Sequence, residues 1–137
     1  MITVADIEGA LKKQGVEIAE GDVALFRTGH GKLWMVDNEM YNSGEPGIGL
    51  EAARWLVGRK VAMTAGDSWA VEAVPGDDPN RPFEVHQVLI NRHGIYNLEN
   101  LDLEELAADG VYEFAFMFAP LRLKGGTGSP GNPIAVK

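Results

Sequence analysis

Thr3, Asp6 and the apolar positions Ile2, Ala5, Ile7, Ala10 and Leu11 open the chain with an acidic capping box and one apolar helical face, which predicts a first helix ending before Gly15. Asp22 to Thr28 contains the run V-A-L-F and reads as a buried strand, with Gly29, His30 and Gly31 forming the turn at its tip. Met40 to Gly49, rich in Asn, Ser, Gly and Pro, reads as a loop. Leu50 to Leu56 then returns to helical patterning through Ala52, Ala53, Trp55 and Leu56. Val61 to Thr64 predicts a short strand that exits through Ala65 to Asp67. Trp69 to Val74 fits a strand or a helical segment equally well, and Pro75 to Pro82 is a surface loop. Phe83, Val85, Val88, Leu89 and Ile90 suit a short amphipathic helix stopped by Gly94, followed by a strand over Ile95 to Leu98. Leu103 to Ala108 reads as a short helix. Tyr112 to Leu121 reads as a strand with Tyr112, Phe114, Phe116 and Phe118 on one face and Ala115, Met117 and Ala119 on the other. Because both of its faces are apolar, that strand is expected in the middle of a sheet, covered by helices or by another subunit. Strands interleaved with short helices define a mixed α/β or α+β sheet, and the lack of repeats or composition shifts predicts one domain over residues 1–137.

Composition narrows the partners more than the fold. The 137 residues are 45% hydrophobic and 23% charged, ordinary values for a globular chain with a real core. A net charge of −8, with twelve scattered Lys and Arg among twenty acids, argues against nucleic acid, whose phosphates need clustered cations. With no cysteine, disulfides and thiolate metal sites are excluded, so any metal must take His, Asp, Glu or neutral oxygen donors. The opening residues lack a charged-then-apolar leader and no apolar run reaches bilayer length, so a cytoplasmic protein without membrane attachment is expected.

Two of the three histidines fall within Phe83 to Leu101, with the carboxylate of Glu99 thirteen positions after the first of them. His86 on the helix and Glu99 just past the following strand can meet at one helix–strand corner, and both are ligand types that a catalytic zinc or manganese accepts. Taken alone, a helix histidine more often packs, caps or faces solvent, and Glu99 alone would be an exposed carboxylate. His93, seven residues beyond His86, is about 10 Å along the helix and too far to share an ion, so it reads as a solvated histidine favoured by the helix C-terminus. Asp67 after its strand serves a site or satisfies turn amides. Arg27 reads as a structural ion-pair residue, and Trp34, Tyr41 and Trp69 as pocket lining or core.

The run H-Q-V-L-I-N-R-H-G-I-Y-N-L-E-N-L resembles the metal-dependent cyclase family, which includes bacterial kynurenine formamidases and isatin hydrolases. Gly21 to Gly29 (G-D-V-A-L-F-R-T-G), Glu45 to Gly47 with the alanine-rich helix that follows, the strand into Gly66-Asp67, and the tail Gly125 to Val136 are similar to that family in the same order. The likeness runs from about Val4 onward and covers the family's C-terminal part; the upstream H-x-G-T-H-x-D-x-P metal motif appears nowhere in these residues. The resemblance implies a truncated, twisted mixed sheet with peripheral helices, with Gly125 to Gly131 walling the active-site region and Ile134 to Val136 returning as a strand. It implies His86 and Glu99 as ligands of zinc or manganese, and places His30 where the family has a pocket tryptophan, within reach of the ion. It also implies hydrolysis of a small ester, lactone or amide by a hydroxide that the metal generates. An open site with fewer ligands extends that expectation to phosphotriesters, with His30 and Glu99 as catalytic groups. Surface uncovered by truncation predicts a homodimer or higher oligomer, in which a second chain could supply metal ligands. The competing expectation is a catalytically silent domain, structural or dependent on a separate N-terminal partner.

Overall fold

The structure is a computed structural model describing all residues, Met1–Lys137. The chain divides into two compact units, Met1–Glu104 and Glu105–Lys137. In the first unit, helix α1 (Val4–Gln14) starts at the capping box read from the sequence: Asp6 N donates to Thr3 Oγ1 at 3.2 Å and Thr3 N donates to Asp6 Oδ2 at 2.8 Å. Gly15 ends the helix with φ 71°, a left-handed turn that glycine adopts without strain, and its N–H closes on the Leu11 carbonyl.

Strands β1 (Val23–Phe26), β2 (Met63–Gly66) and β3 (Tyr96–Leu98) form a parallel sheet in the order β1-β2-β3, with Ala24 opposite Thr64 and Thr64 opposite Asn97. Parallel neighbours require crossovers, and helices supply them. Helix α2 (Asn38–Asn42) and helix α3 (Leu50–Gly58) lie between β1 and β2; helix α4 (Glu84–His86), continuing as a π-helical turn over Gln87–Arg92, lies between β2 and β3. The core gathers Ile7, Ala24, Ile48, Ala52, Ala53, Leu56, Val61, Val71, Val85, Leu89 and Ile95, so α1, α3 and α4 with its π turn all bury apolar faces in one cluster. No helix is long and apolar enough to cross a membrane.

Three segments of this unit depart from their sequence patterns. Met40 to Gly49 is not wholly loop, because Asp37 caps a helical turn by accepting from Met40 N at 2.9 Å. Trp69 to Val74 is neither strand nor helix. It is a mostly buried segment that bends over Trp69 to Val71 and is then held by isolated bridges from Ile48 to Glu72 and from Glu45 to Val74. Phe83 precedes the helix rather than joining its apolar face; its φ of 56° turns the chain and leaves the ring 43% exposed.

Helix α5 (Glu104–Ala108) starts at the last residue of the first unit; in the second unit β4 (Ala115–Met117) pairs antiparallel with β5 (Ile134–Val136), Phe116 facing Ala135. The return of Ile134 to Val136 as a strand agrees with the sequence reading. The central position expected for Tyr112 to Leu121 does not: β4 has β5 as its one partner, and Met117, Ile134 and Val136 are about half exposed. Alternation reports strand geometry and says nothing about how many strands pair alongside. Gly131 lies flat against the Phe118 ring, where a Cβ would overlap it, and Lys137 pairs with Asp109.

Candidate active site

The parallel arrangement sends the C-terminal ends of β1, β2 and β3 the same way, and the chemistry-bearing residues follow them. After β2, Asp67 accepts from Thr28 N at 2.9 Å and Gly29 N at 2.7 Å, and from the Thr28 hydroxyl at 2.7 Å. Both carboxylate oxygens thus bond the turn after β1, so Asp67 organises that turn while also lining the groove that runs past Trp34 and Tyr41. Gly31 packs so closely on Asp67 that a Cβ would sit 2.8 Å from its carbonyl oxygen.

After β3, Asn100 adopts φ 59°, a left-handed conformation that Asn tolerates, and its N–H bonds the Ser68 carbonyl at 2.9 Å. That turn presents Glu99 to His86, whose Nε2 lies 3.1 Å from Glu99 Oε1. The other ring nitrogen, Nδ1, is bonded to Glu72 Oε1. The imidazole is therefore clamped between two carboxylates, and its pKa rises to about 9, chiefly through the hydrogen bond to Glu72, then that to Glu99, against the opposing effect of burial. Phe83 lies edge-on to the His86 ring at 5.7 Å and to Trp69 at 6.4 Å.

A groove of about 710 Å³ runs past Trp34, Tyr41, Trp69, Asn42, Asn100 and Leu101. Tyr41 is buried, stacks on His30 with ring centroids 5.0 Å apart, and donates its hydroxyl proton to Asn100 Oδ1. Burial, with Glu45, Asp67 and Glu99 nearby, raises the Tyr41 pKa. Glu45 is 7% exposed; its Oε2 accepts from the N–H of groove-lining Trp69 at 2.7 Å and its Oε1 has no partner. Burial pushes the Glu45 pKa up to about 7, opposed by the nearby backbone N–H groups of Trp69 and Ala70, of which Trp69 N makes the hydrogen bond; Glu99 adds to the rise and His86 opposes it. Lys32 and Glu104 also line the groove; Arg27 and Lys32 both pair with partly exposed Glu104, Arg27 foremost, and hold its pKa at about 2.

The residues expected from sequence fall as follows. His86 and Glu99 come together. His30 is buried with Nε2 3.1 Å from the Tyr41 carbonyl oxygen, and it forms no cluster with the other two. His93 is exposed. Glu72 has no place in the sequence reading, and Glu45 enters it only as part of the family-like run Glu45 to Gly47. The available signal for Glu72 was a lone acid inside an otherwise apolar run, S-W-A-V-E-A-V, which must find a partner if the run is buried.

His86 Nε2 and a Glu99 oxygen suit zinc or manganese in kind, but a catalytic zinc takes three protein ligands, and nowhere do three His, Asp or Glu side chains gather to hold an ion. The residues of this chain alone do not fit a metal centre.

Fold and site together define a mixed α/β domain with a carboxylate–histidine–carboxylate centre and an aromatic groove that is lined by Asn100, next to Glu99, but by none of Glu72, His86 and Glu99 themselves. The Cyclase family model ("Putative cyclase") matches residues 1–73, more than half of the sequence, and the chain belongs to that family. Among solved structures, a protein described as a novel cyclase is 37% identical, with a TM-score of 0.86 over 100% of this chain and 46% of its own. An isatin hydrolase bound to the product analogue thioisatinate is 25% identical, with a TM-score of 0.83 over 98% of this chain and 52% of its own. Isatin hydrolase A from Labrenzia aggregata, bound to benzyl benzoate, is 28% identical, with a TM-score of 0.77 over 98% and 52%. The chain thus spans about half the length of the solved structures it matches. A search of curated proteins finds no match.

Proposed function

We propose that this chain carries the histidine–carboxylate centre and the aromatic wall of a hydrolase acting on a small ester, lactone or amide. The observation that carries the reading is the His86–Glu99 pair beside the groove: Asn100, which follows Glu99, lines it, and Trp69, which lines it too, reaches the His86 ring through Phe83. Similarity to isatin hydrolases, one bound to thioisatinate and another to benzyl benzoate, supports a small organic substrate.

The aromatic faces of Trp34, Tyr41 and Trp69 hold a flat organic body. Asn100, with Oδ1 committed to Tyr41, has its amide N–H free to donate to the substrate carbonyl oxygen. Glu99 takes a proton from the attacking water as its oxygen bonds the carbonyl carbon. His86, cationic at neutral pH because its pKa is about 9, gives its Nε2 proton to the leaving oxygen or nitrogen as that bond breaks. Protonated Glu99 then returns a proton to His86, and the pair is reset. With zinc or manganese bound through donors from a second copy or another chain, His86 Nε2 and a Glu99 oxygen would be ligands rather than acid and base, and the ion would supply Lewis acidity in their place. Association as a homodimer or higher oligomer belongs to the same proposal.

Hydrolysis of aryl esters and lactones by wild type, His86→Ala and Glu99→Gln, each with and without added zinc or manganese, tests it. Turnover lost in both variants with folding intact supports the reading; equal rates in all three, or none in wild type under any condition, refute it. The missing third metal donor favours one other reading, a silent domain that needs a partner chain. Wild type that binds no zinc calorimetrically and shows no hydrolysis would select it.

A further inference from the structure

We propose that Glu72 is a positioning residue that fixes the His86 ring so that Nε2, and not Nδ1, faces Glu99; this rests on His86–Glu99 being the reaction centre. Glu72 is 2% exposed, and a carboxylate buried that deeply is costly unless its oxygens are bonded. All its side-chain partners belong to two consecutive residues. Oε2 accepts from Val85 N at 3.3 Å, while Oε1 accepts from His86 N at 3.0 Å and from His86 Nδ1–H.

The arrangement does two jobs at once. Phe83 stands at the start of α4 and offers no side-chain acceptor, so the first N–H groups of the helix would be unpaired. Glu72 supplies the acceptor from a distant segment, and the same oxygen that caps the helix holds the ring. Glu72 itself cannot follow the ring if it turns, because its backbone is bridged to Ile48 and pressed against Gly47, where a Cβ would lie 2.5 Å from the Glu72 carbonyl oxygen. An imidazole held at one nitrogen cannot flip about its Cβ–Cγ axis without breaking that bond. Nδ1 is therefore committed, and Nε2 is left for Glu99. A carboxylate on the second nitrogen of a functional histidine is a general way of orienting the ring.

A helix cap alone would not require the ring bond, and this separates the two roles experimentally. With ¹⁵N-labelled histidine, and His86→Ala to assign the signals, wild type should show one set of His86 ring resonances with a solvent-protected Nδ1–H. In Glu72→Ala that proton should exchange about tenfold faster or disappear, the factor expected when a hydrogen bond to a charged group is lost, and the Nε2 shift should move. Glu72→Gln, which keeps an acceptor oxygen, should retain a single ring set with weaker protection. His86 ring signals in folded Glu72→Ala that match wild type would overturn the proposal. Should Glu72→Ala not fold, Glu72→Gln decides: a shifted Nδ1–H signal supports it and an unchanged one overturns it. An ordered ring that depends on Glu72 in a protein that hydrolyses nothing would refute the proposed function while leaving the positioning role standing.

Discussion

Glu45→Gln should make the protein more stable in mild alkali and leave it no more stable in acid. Glu45 is nearly inaccessible and has one oxygen without a partner, so burial raises its pKa from the ordinary 4.5 to about 7. The folded chain therefore binds this proton more tightly than the unfolded chain. Its stabilising contribution is complete below pH 4.5, declines as pH rises, and is gone above about pH 7. At about 1.4 kcal/mol per pH unit, holding the charged form costs about 3 kcal/mol at pH 8. Glutamine carries no charge at any of these pH values and can still accept the Trp69 N–H. Its amide N–H₂ would replace the partnerless oxygen, a loss of about 1–2 kcal/mol. The net expectation is a variant about 1–2 kcal/mol more stable than wild type at pH 8 and less stable by about the same amount at pH 4.5. Urea unfolding of both proteins at half-unit steps from pH 4.5 to 8.5 measures the difference directly. Stability curves that stay parallel across the range would refute the argument, since a solvated Glu45 titrates alike folded and unfolded.

Three further outcomes follow from the same geometry. The His86 pKa is raised from 6.5 to about 9, so the ion-paired ring stabilises fully below pH 6.5 and loses about 3 kcal/mol as pH climbs through 9; urea midpoints should fall over that window in wild type and, once the Glu45 titration near pH 7 is past, stay flat in His86→Gln. Leu56→Ala, at a fully buried position, should cost about 2–5 kcal/mol in equilibrium unfolding. Gly47→Ala would drive a methyl into the Glu72 carbonyl and should cost about 1–3 kcal/mol, visible as a lowered Tm, with the His86 ring signals shifting alongside.

How far the sequence speaks depends on how local the signal is. Helix α1 is written completely in Thr3, Asp6 and Gly15, because caps act within a few residues. The corner that joins His86 to Glu99 is legible for the same reason, a glycine stop between a helix and a strand. His30 illustrates the limit: its position at the strand tip is correct, yet its ring turns to the Tyr41 carbonyl, a partner set by how the following short helix folds back. Glu72 lies in a segment without periodicity, and its role exists only once the segment lies beside Ile48. The β4 pattern looks central because alternation describes the strand and not its neighbours.

The three groups of the centre, Glu72, His86 and Glu99, belong to one uninterrupted stretch of chain, and the loop Pro75 to Pro82 between the first two is mostly exposed. Lengthening an exposed loop is inexpensive, about 0.6 kcal/mol for each doubling. That loop is therefore a point where the gene can accept extra residues, for a lid or a tag, without separating the carboxylate from the histidine it holds.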